Sequence, residues 1–247
     1  MKLFIKKILQ RVLGMERYLM IFSIFTIKLL KFNKNEKDFL FFLKKIKKEG
    51  ILLDIGANIG VMTYYLAKYN PSSTVYSFEP LPINLINLQK IIKIYNLQNV
   101  IACDYALGNF TGDAEIIMPI VDNVRMHGLS HIVHHSIEEL NEGQRHIIKV
   151  QELDKLKFLE DTDKKIVAIK IDVENFEYFV LLGGKNLIEK HKPLIYCELW
   201  KNKNRQKCFD LMKTLNYQTK IFNGKTLLTF NSSSHNTQNF FFVPNEN

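Results

Sequence analysis

The sequence predicts an α/β fold, a doubly wound and mostly parallel sheet, on two observations. The first is the stretch ILLDIGANIG at residues 51–60. Ile51, Leu52, Leu53 and Ile55 form a short apolar run without helical spacing between Gly50 and Gly56, the pattern of a strand buried on both faces. The run from Ile59 to Tyr69 has helical periodicity, so the residues between make a strand-to-helix turn. Gly56 allows close approach to the backbone there, and Gly60 lets the helix begin near the strand. The second observation is that the strand–helix alternation recurs along the chain, which implies a parallel sheet with helices on both faces.

Taken in order, Thr74–Phe78 is a β-branched and aromatic strand ending in Glu79-Pro80. Pro82 opens a helix over about 82–96, and Asn99–Ala102 is a short strand ending at Asp104. Residues 113–150 interrupt the rhythm. Asp113–Met118 and His146–Val150 alternate like antiparallel strands, with His127, His131, His134 and His135 between them and Glu138 and Glu139 just after. The pair His131 and His135 has metal-ligand spacing on a helix, but H-E-x-x-H is absent and Gly128-Leu-Ser favours a loop, so the histidines read either as a substrate-side loop or as ordinary surface histidines; no metal is expected. Ile166–Ile171 is another buried strand. A helix through about Lys190, a strand Leu194–Glu198, a helix to about Leu215 and two strands near Gln218–Phe222 and Phe240–Val243 complete the chain.

Charge separates the first 49 residues from the remainder. Residues 1–50 hold 13 Lys/Arg and 4 Asp/Glu, which accounts for the whole net charge of +9; residues 51–247 hold 21 of each. A body that is neutral by count is not built to grip a nucleic-acid backbone. The expected organisation is a basic helical arm, residues 1–49, followed by a domain over 50–247 that carries the inserted segment 113–150. Leu3, Ile5, Ile8, Leu9 and Val12 recur at helical spacing with Lys6, Lys7, Gln10 and Arg11 opposite, and residues 36–49 read as a second helix with Phe39, Leu43 and Ile46 inward. The apolar stretch 19–30 is too short to span a bilayer and fits a secretory signal poorly. The arm therefore reads as a helical cap with a solvated lysine face, or as a peripheral contact with an anionic membrane or an acidic partner. Residues 1–35 lie outside the motif-bearing region and carry most of the charge excess, so cofactor binding is expected not to need them. Cys103, Cys197 and Cys208 are far apart and form no C-x-x-C, so a reducing, cytoplasmic setting is expected.

The turn D-x-G-x-N-x-G differs from the dinucleotide fingerprint G-x-G-x-x-G. An early carboxylate, Asp54, repels a pyrophosphate and favours a ligand bearing an ammonium or sulfonium, as S-adenosylmethionine does. Glu79 stands 19 residues past Gly60 at the end of the second strand, where an acidic residue accepts hydrogen bonds from ribose hydroxyls. Asp104 ends the third strand and either meets the adenine edge or only forms a turn.

The pieces LLDIGANIG, YSFEPLPIN, ALGN, LDKL, IKIDVENFEYFVLLGG and PLIYCELW run in order over about residues 50–200, and together the sequence resembles the FkbM-type family of S-adenosylmethionine-dependent methyltransferases. The resemblance implies the seven-stranded, Rossmann-like class I methyltransferase sheet, whose last two strands form an antiparallel hairpin. It also implies Asp54, Gly56, Asn58, Gly60, Glu79 and Asp104 at the cofactor and Asp172 beside the acceptor. Asn175 stands where the family usually has Gly; a positive φ there would be tolerated by Asn better than by most residues.

The expected activity is methyl transfer from S-adenosylmethionine to a hydroxyl of a glycan or small-molecule acceptor. Asp172 is the first candidate for the base and His127 and His131 the second, with Glu174 and Glu198 holding acceptor hydroxyls. Asp172 and Glu174 also suit a helix N-terminus as structural acids. Two other classes remain open: a nicotinamide-dependent oxidoreductase on the same sheet, and a non-catalytic nucleotide-binding module tethered by the arm to a membrane or partner.

Overall fold

The structure, a computed structural model, describes residues 2–137 and 140–245. Glu138 and Glu139 lie outside the described residues. Three helices open the chain, α1 (Lys2–Leu13), α2 (Met15–Leu29) and α3 (Lys37–Lys45). Next alternate β1 (Ile51–Ile55), α4 (Val61–Tyr69), β2 (Thr74–Phe78), α5 (Pro82–Ile94) and β3 (Val100–Cys103). Five strands follow with no α-helix among the described residues and one 3₁₀ turn, His127–Leu129, between the third and fourth: β4 (Ala106–Gly108), β5 (Gly112–Val121), β6 (Val124–Arg125), β7 (His131–Ile132) and β8 (Gly143–Glu152). The alternation then resumes with α6 (Lys157–Glu160), β9 (Ile166–Ile171), α7 (Glu177–Gly183), α8 (Lys185–His191), β10 (Leu194–Glu198) and α9 (Lys203–Thr214). It closes on β11 (Tyr217–Phe222), β12 (Leu227–Thr229) and β13 (Asn239–Pro244).

The main sheet has eight strands in the order β12-β11-β13-β10-β9-β1-β2-β3. The β3, β2, β1, β9 and β10 strands run parallel, β13 is antiparallel to β10, and β11 is antiparallel to both β13 and β12. One strand more than the seven expected is present, and the last two long strands are not joined by a hairpin. The reason is local. Asn223 Oδ1 accepts the N–H groups of Lys225 and Thr226, turning the chain back so that Leu227–Thr229 pairs on the outer edge of β11. Strand order reverses between β1 and β9, and in open α/β sheets that switch point is where the carboxyl ends of the strands open a ligand crevice.

All five residues of β1 are buried, as a central strand requires. They divide by face: Leu52 joins Val75, Ala168, Tyr196 and Phe241 in one core, while Ile51, Leu53 and Ile55 join Ile169, Ile171 and Ile195 in the other. The N-terminal helices belong to both cores. Met15, Tyr18 and Leu19 enter the larger one, and Phe39, Phe42 and Leu43 fill the smaller against Tyr65. The Tyr65 hydroxyl donates to Ile27 O at 2.6 Å and ties α4 to α2. The arm is thus packed into the domain.

Two further departures from the sequence reading have physical causes. The segment expected over 113–150 is a second sheet running from Ala106 to Glu152, in which β5 and β8 pair antiparallel over most of their length and β4 lies parallel to β8. Three-residue β4 carries too little pattern to be read as a strand. The single helix expected through Lys190 is broken into α7 and α8 at Gly183-Gly184, where a Cβ on Gly183 would collide with the Gly108 carbonyl oxygen.

Candidate active site

The turn after β1 is built around close backbone approach. Gly56 has φ 80°, and a Cβ there would lie 1.8 Å from the Asp172 carbonyl oxygen. The glycine is therefore needed by the neighbouring strand end, not only by a ligand. Gly60 caps α4 at φ 83° and faces Leu88 of α5, so it serves helix–helix closeness where strand proximity was expected. The turn hangs on β2, since the N–H groups of Gly56 and Ala57 both donate to Phe78 O.

Glu79 ends β2 and is buried. Its Oε2 accepts the Asn58 N–H at 2.8 Å; its Oε1 accepts the Leu81 N–H at 3.0 Å and lies 3.4 Å from Asn84 Nδ2. Burial pushes this carboxyl up to about 7, against those hydrogen bonds and the Lys170 charge. Asn84 is itself buried and its Oδ1 has no partner among the described residues. Glu79 and Asn84 line a cleft of about 600 Å³ with Phe78, Pro80, Leu107 and Ile132. Apolar walls around a few convergent polar groups are the usual composition of a small-molecule site.

Asp54 is fully buried and is not among the residues that line that cleft. Its Oδ2 accepts a 2.6 Å hydrogen bond from Thr63 Oγ1, and its Oδ1 lies 3.3 Å from Lys170 Nζ. The carboxylate expected to meet a ligand cation directly is instead paired with a lysine. Lys170 also donates to Gly56 O at 2.8 Å and stands 3.7 Å from Asp172 Oδ2. Burial would lower its pKa, but Asp54 and then Asp172 hold the ammonium above its ordinary value. Lys170 is one of the site residues that the sequence reading missed. Its signal was present, because a lysine inside the apolar run IVAIKI stays buried only if it is paired.

Asp172 follows β9, its N–H donating to Ile55 O. It lines both the cleft of Glu79 and a second cavity of about 980 Å³, which Gly56, Asn58 and His127 also share. Lys6, Phe22, Thr26, Leu30 and Glu36 line that second cavity too, so the N-terminal helical arm forms part of its wall. Glu36 went unnoticed in the sequence because nothing in its local pattern signals a neighbour so distant in the chain; burial, then Asp172, raises its pKa.

The remaining expected residues are distributed unevenly. His127 is buried, with Nδ1 3.1 Å from Asn58 Oδ1, and burial followed by the Lys6 charge pushes it down to about 4. An imidazole donating from Nδ1 to Asn58 leaves Nε2 unprotonated. His131 lines the first cleft, with Leu129 O 3.0 Å from Nδ1 and Asn141 Oδ1 3.2 Å from Nε2; both are acceptors, so a neutral imidazole donates to one of them only. Glu174 lines the first cleft at φ 51°, next to Asn175 at φ 76°, so the tolerance for positive φ expected of Asn175 is used. Burial and Asp172 push the Glu174 carboxyl up, and the same two causes raise Glu198. Glu198 ends β10 and Asp104 is exposed after β3; neither lines the two cavities.

A parallel sheet that switches at β1/β9, with an acid ending β2 and a ligand cleft over the first turn, defines a Rossmann-like domain of the class I methyltransferase type. The sequence profile described as Methyltransferase FkbM domain matches residues 54–226, more than half of the chain. The chain belongs to the FkbM methyltransferase family. It is 28% identical over 164 residues to Methyltransferase 1 of Beauveria bassiana (strain ARSEF 2860), covering 60% of this chain and 62% of that one. The solved structure of Methyltransferase FkbM from Methylobacillus flagellatus KT aligns with a TM-score of 0.50 and 18% identity, over 79% of this chain and 44% of that one. The chain thus spans less than two thirds of either. A SAM-dependent O-methyltransferase from Thermotoga maritima aligns with a TM-score of 0.46 at 11% identity, over 87% of this chain and 66% of that one.

Proposed function

We propose that the protein is an S-adenosylmethionine-dependent methyltransferase acting on a hydroxyl of a glycan or small-molecule acceptor. The carrying observation is the position of Asp172, which lines both cavities, with Lys170 on its inner side. The residues present fit the cofactor. Glu79 spends each carboxylate oxygen on only part of its accepting capacity, so lone pairs remain for a ribose diol. The unpartnered Asn84 Oδ1 offers an acceptor in the same cleft.

S-adenosylmethionine, when bound, supplies an electrophilic methyl group. The protein's own work is to hold the acceptor in line and to remove its proton. Asp172 takes that proton, with Lys170 orienting its carboxylate. His127 stays neutral near pH 7 and is the second group able to accept one. Thr26, Glu36 and Lys6 give the second cavity the mixed donors and acceptors that a hydroxyl-bearing acceptor needs.

The test is a labelled-methyl transfer screen against cell extract fractionated into glycans, lipids and small metabolites. Label entering a glycan or small-metabolite fraction as an alkali-stable ether supports the reading. Label found solely on amines, or none with any fraction despite bound cofactor, overturns it.

A further inference from the structure

The outward face of α1 carries the side chains that a surface helix ordinarily buries. Its half-buried residues are Lys6, Gln10 and Leu13. Gln10 Nε2 donates to Arg125 O at 3.0 Å and its Oε1 accepts the Arg125 N–H at 3.1 Å, fastening that side of the helix to β6. The Lys6 ammonium lies over the Phe22 ring. At 3.6 residues per turn, Phe4, Ile8 and Val12 point the opposite way with Ile5 beside them. Phe4 keeps 67% of its surface exposed and Val12 74%. The amphipathic pattern read from the sequence is real, but the helix is turned over: polar groups face the protein and apolar ones face out.

The next helix repeats the display. Ile21, Phe25 and Leu29 of α2 and Phe32 just beyond it follow at intervals of four, four and three, and Phe25 and Phe32 are 59% and 81% exposed. Exposed cations flank both stripes, namely Lys7, Arg11, Arg17, Lys28, Lys31 and Lys34. The single acid between residues 2 and 35, Glu16, is paired with Lys90 at 2.8 Å. Convex apolar stripes bordered by lysine and arginine match a lipid interface, where side chains enter the acyl boundary while cations meet phosphates and carboxylates. A second copy fits less well, since it would bring together two arms that each carry an excess of nine positive charges. Among the described residues no helix is long and apolar enough to cross a membrane, so the contact would be peripheral.

We propose that α1 and α2 dock the protein on an anionic membrane surface through Phe4, Ile8, Val12, Phe25 and Phe32. The proposal owes nothing to the cofactor or the reaction. Its test is co-sedimentation of the full chain with phosphatidylcholine vesicles, with and without phosphatidylserine, at low and high salt. Binding to the phosphatidylserine vesicles at low salt, weakened by salt, is expected. Phe4→Ser combined with Val12→Ser should reduce that partitioning by at least about tenfold while leaving the melting temperature unchanged. No binding at low salt overturns the proposal, and so does binding that the double variant leaves intact. Self-association or capture of an acidic protein that the variant abolishes, without vesicle binding, assigns the surface to a protein partner instead and also overturns it.

Discussion

Lys170 places its ammonium 3.3 Å from the Asp54 carboxylate, with 3% and 0% of the two side chains exposed. The pair joins the two strands that flank the switch point of the sheet. It holds the first turn from below, through the Lys170 bond to Gly56 O, and reaches the Asp172 carboxylate from the side. One buried cation therefore serves the turn after β1 and the proposed base together.

Removing that cation should be costly. Lys170→Met keeps much of the volume but leaves Asp54 buried without its partner, for a loss of about 3–5 kcal/mol in unfolding free energy. Urea unfolding measures it. The double variant with Asp54→Asn should recover most of the loss, because an uncompensated charge is then absent. A single-variant loss under about 1 kcal/mol would mean that water reaches the pair.

Glu79 should be felt in cofactor affinity. Glu79→Ala leaves ribose hydroxyls unpaired in a buried cleft, which costs about 1–3 kcal/mol, or about 5- to 150-fold in Kd for S-adenosylmethionine. Calorimetry with S-adenosylmethionine and with NAD separates this expectation from an oxidoreductase: the parent chain should bind the first and not the second. Unchanged affinity in Glu79→Ala would place the ribose elsewhere.

Glu177 gives a pH dependence with a definite sign. Burial first, then Asp172, push its carboxyl up to about 8 from 4.5, although it accepts the N–H groups of Val173 and Asn175. A folded-state pKa above the unfolded value means that the folded chain binds the proton more tightly. The stability it contributes is complete below about pH 4.5 and is lost as pH rises toward 8. His127, pushed down to about 4 from 6.5, acts in the opposite sense and costs stability as pH falls through that window. Glu177→Gln keeps the acceptor oxygen without the ionisation, so unfolding free energy should decline less between pH 5 and 8 than in the parent. Equal slopes would show that Glu177 is ionised in the folded protein at neutral pH.

How much of this was legible in the sequence depended on the range of the interaction. The strands Ile51–Ile55 and Ile166–Ile171 were readable because burial on both faces leaves mostly apolar runs, Thr74–Phe78 because it is rich in β-branched and aromatic residues, and the position of Glu79 because it follows that strand's end. The orientation of α1 was not, since Gln10 turns that helix through a pair of bonds to Arg125, 115 residues away. The fate of Asp54 was hidden for the same reason: its partner Lys170 comes from a strand that only the fold brings alongside. The surroundings of His131, with Leu129 O and Asn141 Oδ1 near its two nitrogens, were hidden too, because no local pattern fixes the course of that loop.

The last expectation concerns Asp172, and the structure sharpens it. Two roles compete: acceptance of the acceptor's proton, and electrostatic support for Lys170 and the α7 N-terminus. Asp172→Asn keeps shape and volume and removes the charge. Lys170 retains Asp54 at 3.3 Å, so the buried cation is not orphaned and the fold should survive with a loss of about 1 kcal/mol or less. Glu79, Asn58 and Asn84 are untouched, so affinity for S-adenosylmethionine should stay within about twofold, a few tenths of a kcal/mol. If Asp172 accepts the proton, turnover falls by about 10²-fold or more while KM changes little. If it only supports Lys170, turnover stays near the parent value and the loss appears in melting temperature. The His127→Asn variant provides the comparison, because an imidazole held neutral and hydrogen-bonded to Asn58 could serve as base in its place. A turnover loss confined to His127→Asn would transfer the role of base to the histidine.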